Sequence, residues 1–296
     1  MKLIVELTSK RMIAKYKKLS NISYFIVACE SLSFNSNHKF IYEELIAIYN
    51  QCKDLNIKLI LNAEKLFSDK DFVLVKELID KNFFELFEYV TYSDFGFKNF
   101  LETEGVKIKF ILKASTYLTN YLDVNEYNNI NDYVVASSEI SSDELIELSK
   151  HVNKNIIVDL FGMSACFYSR RELLTNYFKY RMMDSNPKKD NYYVIEELRN
   201  DLLPIVEDQN GTIILEPKFH LLSDELIKLK NIDFGIISTR KLNQKLSYVV
   251  VEAFNEFINN PDVDLLISKL DDALVPYYKG AYNIKSILLK GGNSCE

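Results

Sequence analysis

The chain has 296 residues, 48% of them apolar, which is enough for one large core or two ordinary ones. The net charge of −6 argues against a general polyanion binder but leaves room for a local basic patch. No apolar run is long enough to span a bilayer, and no signal core opens the sequence, so no membrane role is expected. The four cysteines, Cys29, Cys52, Cys166 and Cys295, show no C-x-x-C spacing, so zinc and redox motifs lack support. Cys29 and Cys166 lie in apolar runs and read as buried free thiols, which fits a reducing cytoplasm.

Short runs rich in Val, Ile, Leu, Phe and Tyr recur at 3–6, 24–28, 58–61, 88–91, 107–112, 132–136, 156–160 and 232–237. Such runs suit strands buried on both faces. Between them, apolar residues three and four apart predict helices at 40–55, 70–82, 143–151 and 242–258, with Ser68 and Ser141 as cap candidates. Repeated strand–helix alternation predicts an α/β fold of the TIM-type (β/α)8 barrel kind. An open doubly wound sheet is the second choice, and the lack of a Gly-rich first turn counts against it.

Barrel sites lie at the carboxyl ends of the strands. That rule selects Glu30 after the second run, Glu64 after the third, Asp94 after the fourth and Asp159 within the seventh as mouth candidates, and it also brings Asn62 and Lys113 to the ends of the third and fifth runs. Ser115, Ser137, Ser138 and Thr239 read as helix caps. After 156–160 the chain breaks at Gly162 and enters a helix-like stretch. It carries Arg170, Arg171 and Arg181 beside Tyr168, Tyr177 and Tyr180. Paired guanidinium groups there either grip phosphate or carboxylate or are simply solvated.

One barrel domain is therefore expected over 1–296, with a β-rich flap at 184–217 inserted after strand seven and a C-terminal extension at 262–296. Asn210-Gly211 marks a hairpin in the flap. In the extension, 263–270 reads as helix and 281–289 as strand. His151 closes a helix, His220 opens one, and His38 lies in a loop on the predicted active face, where a Cys166–His38 dyad is conceivable. No zinc-peptidase His-Glu-x-x-His and no Gly-x-Ser-x-Gly elbow is present. Lys10, Arg11, Lys15, Lys17 and Lys18 beside Tyr16, and Lys188, Lys189, Tyr192 and Tyr193 in the flap, are either RNA contacts or solvated surface.

The stretch after the seventh run also carries a family resemblance. Asp159, Phe161, Cys166, Tyr168, Ser169, Arg171, Leu174, Thr175, Asn176 and Tyr177, together with 203–215 and Arg240, resemble the collagenase-like peptidase family U32. Members that hydroxylate RNA or ubiquinone precursors hold an iron–sulfur cluster on four cysteines in and after this segment. Here Cys166 stands near the first position, Glu172 at the second, and 181–199 has no cysteine. Where the family has a Lys-Ile-Glu-Gly-Arg-like run, this chain has Ile236, Ile237, Ser238, Thr239 and Arg240. The resemblance therefore implies a short, cysteine-poor pseudo-enzyme, without its own cluster and with no cofactor in this chain. Its role would be that of an accessory or substrate-positioning subunit in prephenate-dependent hydroxylation of the tRNA wobble uridine. The implied partners are a cluster-bearing paralogue and tRNA, and prephenate is a candidate ligand. Arg170, Arg171, Arg181 and Arg240 would then contact an RNA phosphate or a prephenate carboxylate. The alternative is a peptidase, or another barrel enzyme acting on a small polar ligand through Glu30, Glu64, Asp94 and the arginines.

Overall fold

The structure, a computed structural model, describes residues 1–34, 36, 38–114, 116–184, 186, 191–195, 201–279 and 282. Ser115, Lys188, Lys189, Cys295 and nearly all of the strand expected at 281–289 lie outside them. The chain divides into two compact units, Met1–Gly162 with His220–Glu296, and Met163–Phe219. The small unit begins at Met163, ahead of the expected flap boundary at Asp184.

In the large unit, β1 (Lys2–Glu6), α1 (Arg11–Tyr16), β2 (Ile22–Ala28), α2 (Tyr42–Lys53), β3 (Lys58–Ala63) and α3 (Asp71–Asp80) follow one another. A 3-10 turn, Phe83–Leu86, leads to β4 (Tyr89–Tyr92), α4 (Phe95–Thr103), β5 (Lys109–Leu112), α5 (Tyr121–Asn129), β6 (Tyr133–Val134), α6 (Ser142–His151) and β7 (Ile156–Gly162). The small unit holds β8 (Ala165–Ser169), α7 (Leu173–Tyr180), β9 (Tyr192–Ile195), β10 (Leu202–Asp208) and β11 (Gly211–Leu215). The chain then runs through β12 (Phe219–Leu221), β13 (Ile232–Ile237), α8 (Gln244–Asn259), α9 (Val263–Asp272) and β14 (Tyr277–Tyr278). All eight predicted strands form within a few residues of their expected positions, because each is a continuous apolar run that the helices cover.

The main sheet is ordered β14-β12-β7-β13-β1-β2-β3-β4-β5-β6, and from β7 to β6 every pairing is parallel. The α/β class is as expected, but a continuous closed ladder is not formed. β6 is two residues long and does not pair with β7 as a strand. Val135 and Ile157 make an isolated parallel bridge, and Ala136 N donates to Ile157 O at 3.0 Å.

Side chains alternate across a strand, so every second residue shares a face. Ile4, Ile60, Ile111 and Ile157 from β1, β3, β5 and β7 pack with Ile26, Tyr89, Val135 and Ile236 into one apolar cluster. Below it, Tyr24, Tyr89, Tyr133 and Phe234 contact edge-on in a ring, with centroids 5.4–5.9 Å apart. Tyr133 donates to Asp233 Oδ2 at 2.7 Å, which satisfies its hydroxyl.

The caps differ in detail from the expectation. Ser141 forms a full capping box with Glu144. Ser68 does not cap α3; instead its own N–H and hydroxyl both donate to Asp71 Oδ2, at 2.7 Å each. Tyr16 is fully buried and stacks on Tyr248 at 6.3 Å, so it is core rather than a base-stacking surface. His220 opens no helix: it lies in β12, opposite Gly162 of β7. A three-residue strand is too short to carry a periodic signal.

In the small unit an antiparallel sheet runs β8-β11-β10-β9. The helix-like reading of the stretch after Gly162 holds only for α7; its first part is β8, which pairs with β11 more than forty residues on. The predicted hairpin joins β10 to β11, with Asp208 opposite Gly211. Gly211 has φ +133°, and a Cβ there would stand 2.1 Å from the Ser169 carbonyl oxygen, so only glycine fits. Cys166 is exposed, contrary to expectation, and its Sγ lies 3.4 Å from the Ile214 carbonyl oxygen. Its neighbour Phe167 is exposed as well, and no residue of β8 is fully buried.

Candidate functional site

The same alternation that builds the apolar cluster builds a polar layer above it. Two residues on from Ile4, Ile60, Ile111 and Ile157 stand Glu6, Asn62 and Lys113, at or next to the carboxyl ends of β1, β3 and β5, and Asp159, in the middle of β7. The loops add Glu64 and Arg240, and β12 adds His220. Lys113 Nζ lies 3.7 Å from Glu64 Oε2 and 3.8 Å from Asp159 Oδ1. Arg240 Nε lies 3.7 Å from Glu6 Oε2, and Ser238 Oγ donates to the same carboxylate oxygen. Glu64 is held by Thr91, whose hydroxyl donates to Oε1 at 2.9 Å. Its backbone N–H donates to Asn62 Oδ1 at 3.2 Å.

All these charged groups are largely buried, yet none of the three cation–carboxylate contacts is a direct hydrogen bond. Each is longer by about 1 Å than a charge-assisted bond of roughly 2.7–2.9 Å. At those separations the groups attract through space and do not saturate one another's donor and acceptor positions. Burial acts to lower the pKa of Lys113, but Asp159 and Glu64 outweigh it and hold the ammonium above the ordinary lysine range. Lys113 is thus a fixed cation and hydrogen-bond donor. Burial, helped by Lys113 and opposed by Asp159, pushes His220 down to about 4, so its imidazole is neutral at pH 7. Burial pushes the Tyr282 hydroxyl well above the usual tyrosine range, reinforced by Asp159 and Glu225; it donates to the Asp159 carbonyl oxygen at 3.2 Å. Lys241, with φ +72°, turns the chain directly after Arg240. That conformation is uncommon for a residue other than glycine.

Of the mouth candidates, Glu64 and Asp159 meet on Lys113. Asp94 is occupied elsewhere: it caps α4 through Phe97 N at 3.2 Å and accepts from Phe67 N at 2.8 Å. Glu30 is exposed in the turn after Cys29. Arg240 joins Glu6, whereas Arg170, Arg171 and Arg181 belong to the small unit and are exposed. Glu6 and Tyr282 were not singled out from sequence, Lys113 was expected at the end of its strand, and His220 was expected to open a helix rather than to join this layer. For Glu6 the signal was there: a charged residue in step with the inward isoleucines.

In the small unit the buried charge is Glu207, 2% exposed. Its carboxylate accepts from the backbone N–H of Leu174 at 2.7 Å and of Thr175 at 3.1 Å, and from the hydroxyls of Thr175 and Thr212 at 2.5 and 2.8 Å. It thus fills the amino end of α7, where orphan N–H groups and the helix dipole favour an anion. Cys166 is the one cysteine between Met163 and Phe219, and no group of three or more His, Cys, Asp or Glu that could hold a metal assembles among the described residues. No helix among them is long and apolar enough to cross a membrane.

Comparison with known proteins places this geometry in a family. The sequence profile of peptidase family U32 matches residues 27–271. The tRNA hydroxylation protein P2 of Bacillus subtilis (strain 168) is 35% identical over 108 residues, which are 35% of this chain and 34% of that protein. The match thus spans about a third of that relative's length. Among solved structures, the U32 peptidase Mk0906 aligns with a TM-score of 0.52 over 82% of this chain and 94% of that one, at 10% identity. That last likeness is one of fold. The profile match extends over most of the sequence, including the small unit and, of the polar layer, Asn62, Glu64, Lys113, Asp159, His220 and Arg240, and the chain belongs to peptidase family U32.

Proposed function

We propose that this chain serves tRNA hydroxylation, as an accessory or substrate-positioning subunit that carries no iron–sulfur cluster of its own. The observation that carries the reading is its 35% identity with the tRNA hydroxylation protein P2 over 108 residues. The donor set argues in the same direction, since Cys166 has no second cysteine near it in sequence. In this reading the hydroxylation chemistry belongs to a cluster-bearing paralogue in the cytoplasm. The chain supplies RNA contacts through Arg170, Arg171 and Arg181, and an anion contact through Arg240 that suits a small carboxylate such as prephenate.

The reading includes the architecture. We infer that the main sheet wraps into a (β/α)8 barrel. In support, the apolar cluster draws one residue from each of seven parallel strands and Val135 just past β6. The Val135–Ile157 bridge lies where the two ends of such a sheet would meet.

A second reading, an enzyme acting on a small polar ligand, is favoured by one observation. Lys113 sits between Glu64 and Asp159 at strand ends, where barrel enzymes keep their chemistry. One experiment separates the two. Modified nucleosides of tRNA from a strain lacking the gene are measured by mass spectrometry, with complementation by wild type, Arg171→Ala and Lys113→Met. Loss of the hydroxylated wobble uridine, restored by wild type, supports the first reading. Unchanged hydroxylation removes it and leaves the small-molecule enzyme.

A further inference from the structure

α7 is a short helix with one buried residue, Phe178, and a flank turned to solvent. On that flank Tyr177 is 53% exposed and Tyr180 82% exposed. Three residues apart on a helix, the two rings are neighbours, offset by about 4.5 Å along the axis. Arg181 follows at the helix end, Arg170 and Arg171 precede the helix, and Lys179, two residues from Tyr177, lies on another face. All four cations are exposed, and none makes an ion pair with a described carboxylate. This contrasts with Lys58, Lys76, Lys109, Lys150 and Lys269, whose ammonium groups are tied to glutamates.

An exposed tyrosine pair usually marks a surface that is covered in use. Cations left unpaired beside it, in a chain of net charge −6, favour an anionic occupant. The amino end of α7 takes no part, since Glu207 already fills it. What remains is an alternation of flat rings and cationic groups. Unpaired nucleotides present the complement, a π-face on each base and a phosphate between successive bases. A duplex hides its base faces and offers phosphates alone.

We propose that this flank, formed by Arg170, Arg171, Tyr177, Tyr180 and Arg181, is a docking surface for single-stranded RNA, with bases stacked on the two tyrosines and phosphates held by the three arginines. It rests on the tRNA reading above only for the source of the RNA, a loop of unpaired nucleotides. The surface itself is sequence-tolerant, because every base has a π-face.

The test is fluorescence-anisotropy titration of the full chain with a labelled tRNA transcript, a single-stranded oligoribonucleotide and a blunt RNA duplex of equal length. The wild type is expected to bind the first two and to discriminate against the duplex. Tyr177→Ala and Tyr180→Ala are each expected to weaken single-strand binding about tenfold, the scale of one lost base–aromatic stack. Tyr→Phe at both positions keeps the affinity. Arg171→Ala with Arg181→Ala lowers the slope of log affinity against log salt by about 1 per residue. Thermal melting of each variant at wild-type temperature shows that the fold is intact. No binding by the wild type, equal binding of duplex and single strand, or alanine variants within about twofold of wild type overturns the proposal. So does loss of a co-purifying protein in the tyrosine variants with RNA affinity unchanged, which would make the flank a protein contact.

The two readings fail separately. Unchanged tRNA hydroxylation in the deletion strain, with tyrosine-dependent RNA binding in vitro, removes the tRNA-hydroxylation role and leaves the surface. Lost hydroxylation restored by the tyrosine-to-alanine variants removes the surface and leaves the role.

Discussion

The large and small units treat charge in opposite ways. In the large unit, Glu6, Glu64, Asp159, Lys113 and Arg240 are drawn in together, and each has an opposite charge within 3.7–3.8 Å. In the small unit the strongly buried carboxylate among the described residues, Glu207, is satisfied by neutral donors, and the exposed cations Arg170, Arg171, Lys179 and Arg181 make no ion pair with a described carboxylate. Charges fixed in a layer cost desolvation and hold a geometry; charges left at the surface are available to something that arrives. In the proposed reading the difference corresponds to two tasks, a fixed polar layer at the strand ends and a contact surface for a larger anionic partner.

The comparison can be broken most severely at Glu207. Glu207→Ala strands two backbone N–H groups and two hydroxyls, and is expected to destabilise the small unit by about 3–5 kcal/mol. Hydrogen exchange should show the loss confined to Met163–Phe219. Exchange that also accelerates through β1 to β5 would show that the two units are not energetically separate.

Lys113→Met leaves Glu64 and Asp159 facing each other without their cation. The expected cost is about 3 kcal/mol, the scale of breaking a buried pair from one side, measured by urea unfolding at pH 7. Because the folded pKa of Lys113 is raised, its contribution is complete below about pH 10.5 and fades as pH climbs through the folded value. Lys113→Met should therefore flatten the alkaline limb of the stability profile.

His220 sharpens the acid side. With a folded pKa of about 4 against an ordinary 6.5, the unfolded chain binds more protons between those values, so stability rises with pH across that window. Acidification from pH 6.5 to 4 is expected to remove about 3 kcal/mol. His220→Gln should abolish most of that dependence in urea melts taken at each pH.

Smaller effects follow at the caps and the surface. Asp94→Ala should cost about 1–2 kcal/mol by freeing the Phe97 and Phe67 N–H groups, with no change in ligand binding. Arg170→Ala with Arg171→Ala should change stability by less than about 0.5 kcal/mol, since neither side chain makes an ion pair with a described carboxylate. A larger loss would mean that these arginines hold the fold rather than a ligand.

Most of the large unit was legible in the sequence because its strands are buried on both faces and announce themselves as unbroken apolar runs. The polar layer was half legible. Attention to the residues after the strands found Glu64, Lys113 and Arg240 but passed over Glu6, which closes its run on the inward face. Asp94 misled because a strand-end carboxylate and a helix cap occupy the same place in sequence. The small unit was harder. The partner of β8 is β11, far along the chain, so no local window reveals the pairing. The stretch 165–169 alone, with aromatic and polar residues mixed, fits helix or strand. The Asn210-Gly211 signal succeeded because a hairpin turn is local chemistry.

The pairing of β1 with β13 has a consequence for how the protein is made. Lys2 lies beside Phe234 and Val5 beside Ile237. A ribosome working at about 5–20 residues per second finishes β1 tens of seconds before β13 emerges. Through that interval β1 can pair with β2, while its other edge shows bare amide and carbonyl groups to any neighbouring nascent chain. The small unit, contiguous from Met163 to Phe219, needs nothing from β13 to complete its own sheet. Aggregation during synthesis should therefore centre on β1, and trigger-type holding of the emerging chain is needed most just where the finished protein is most firmly closed.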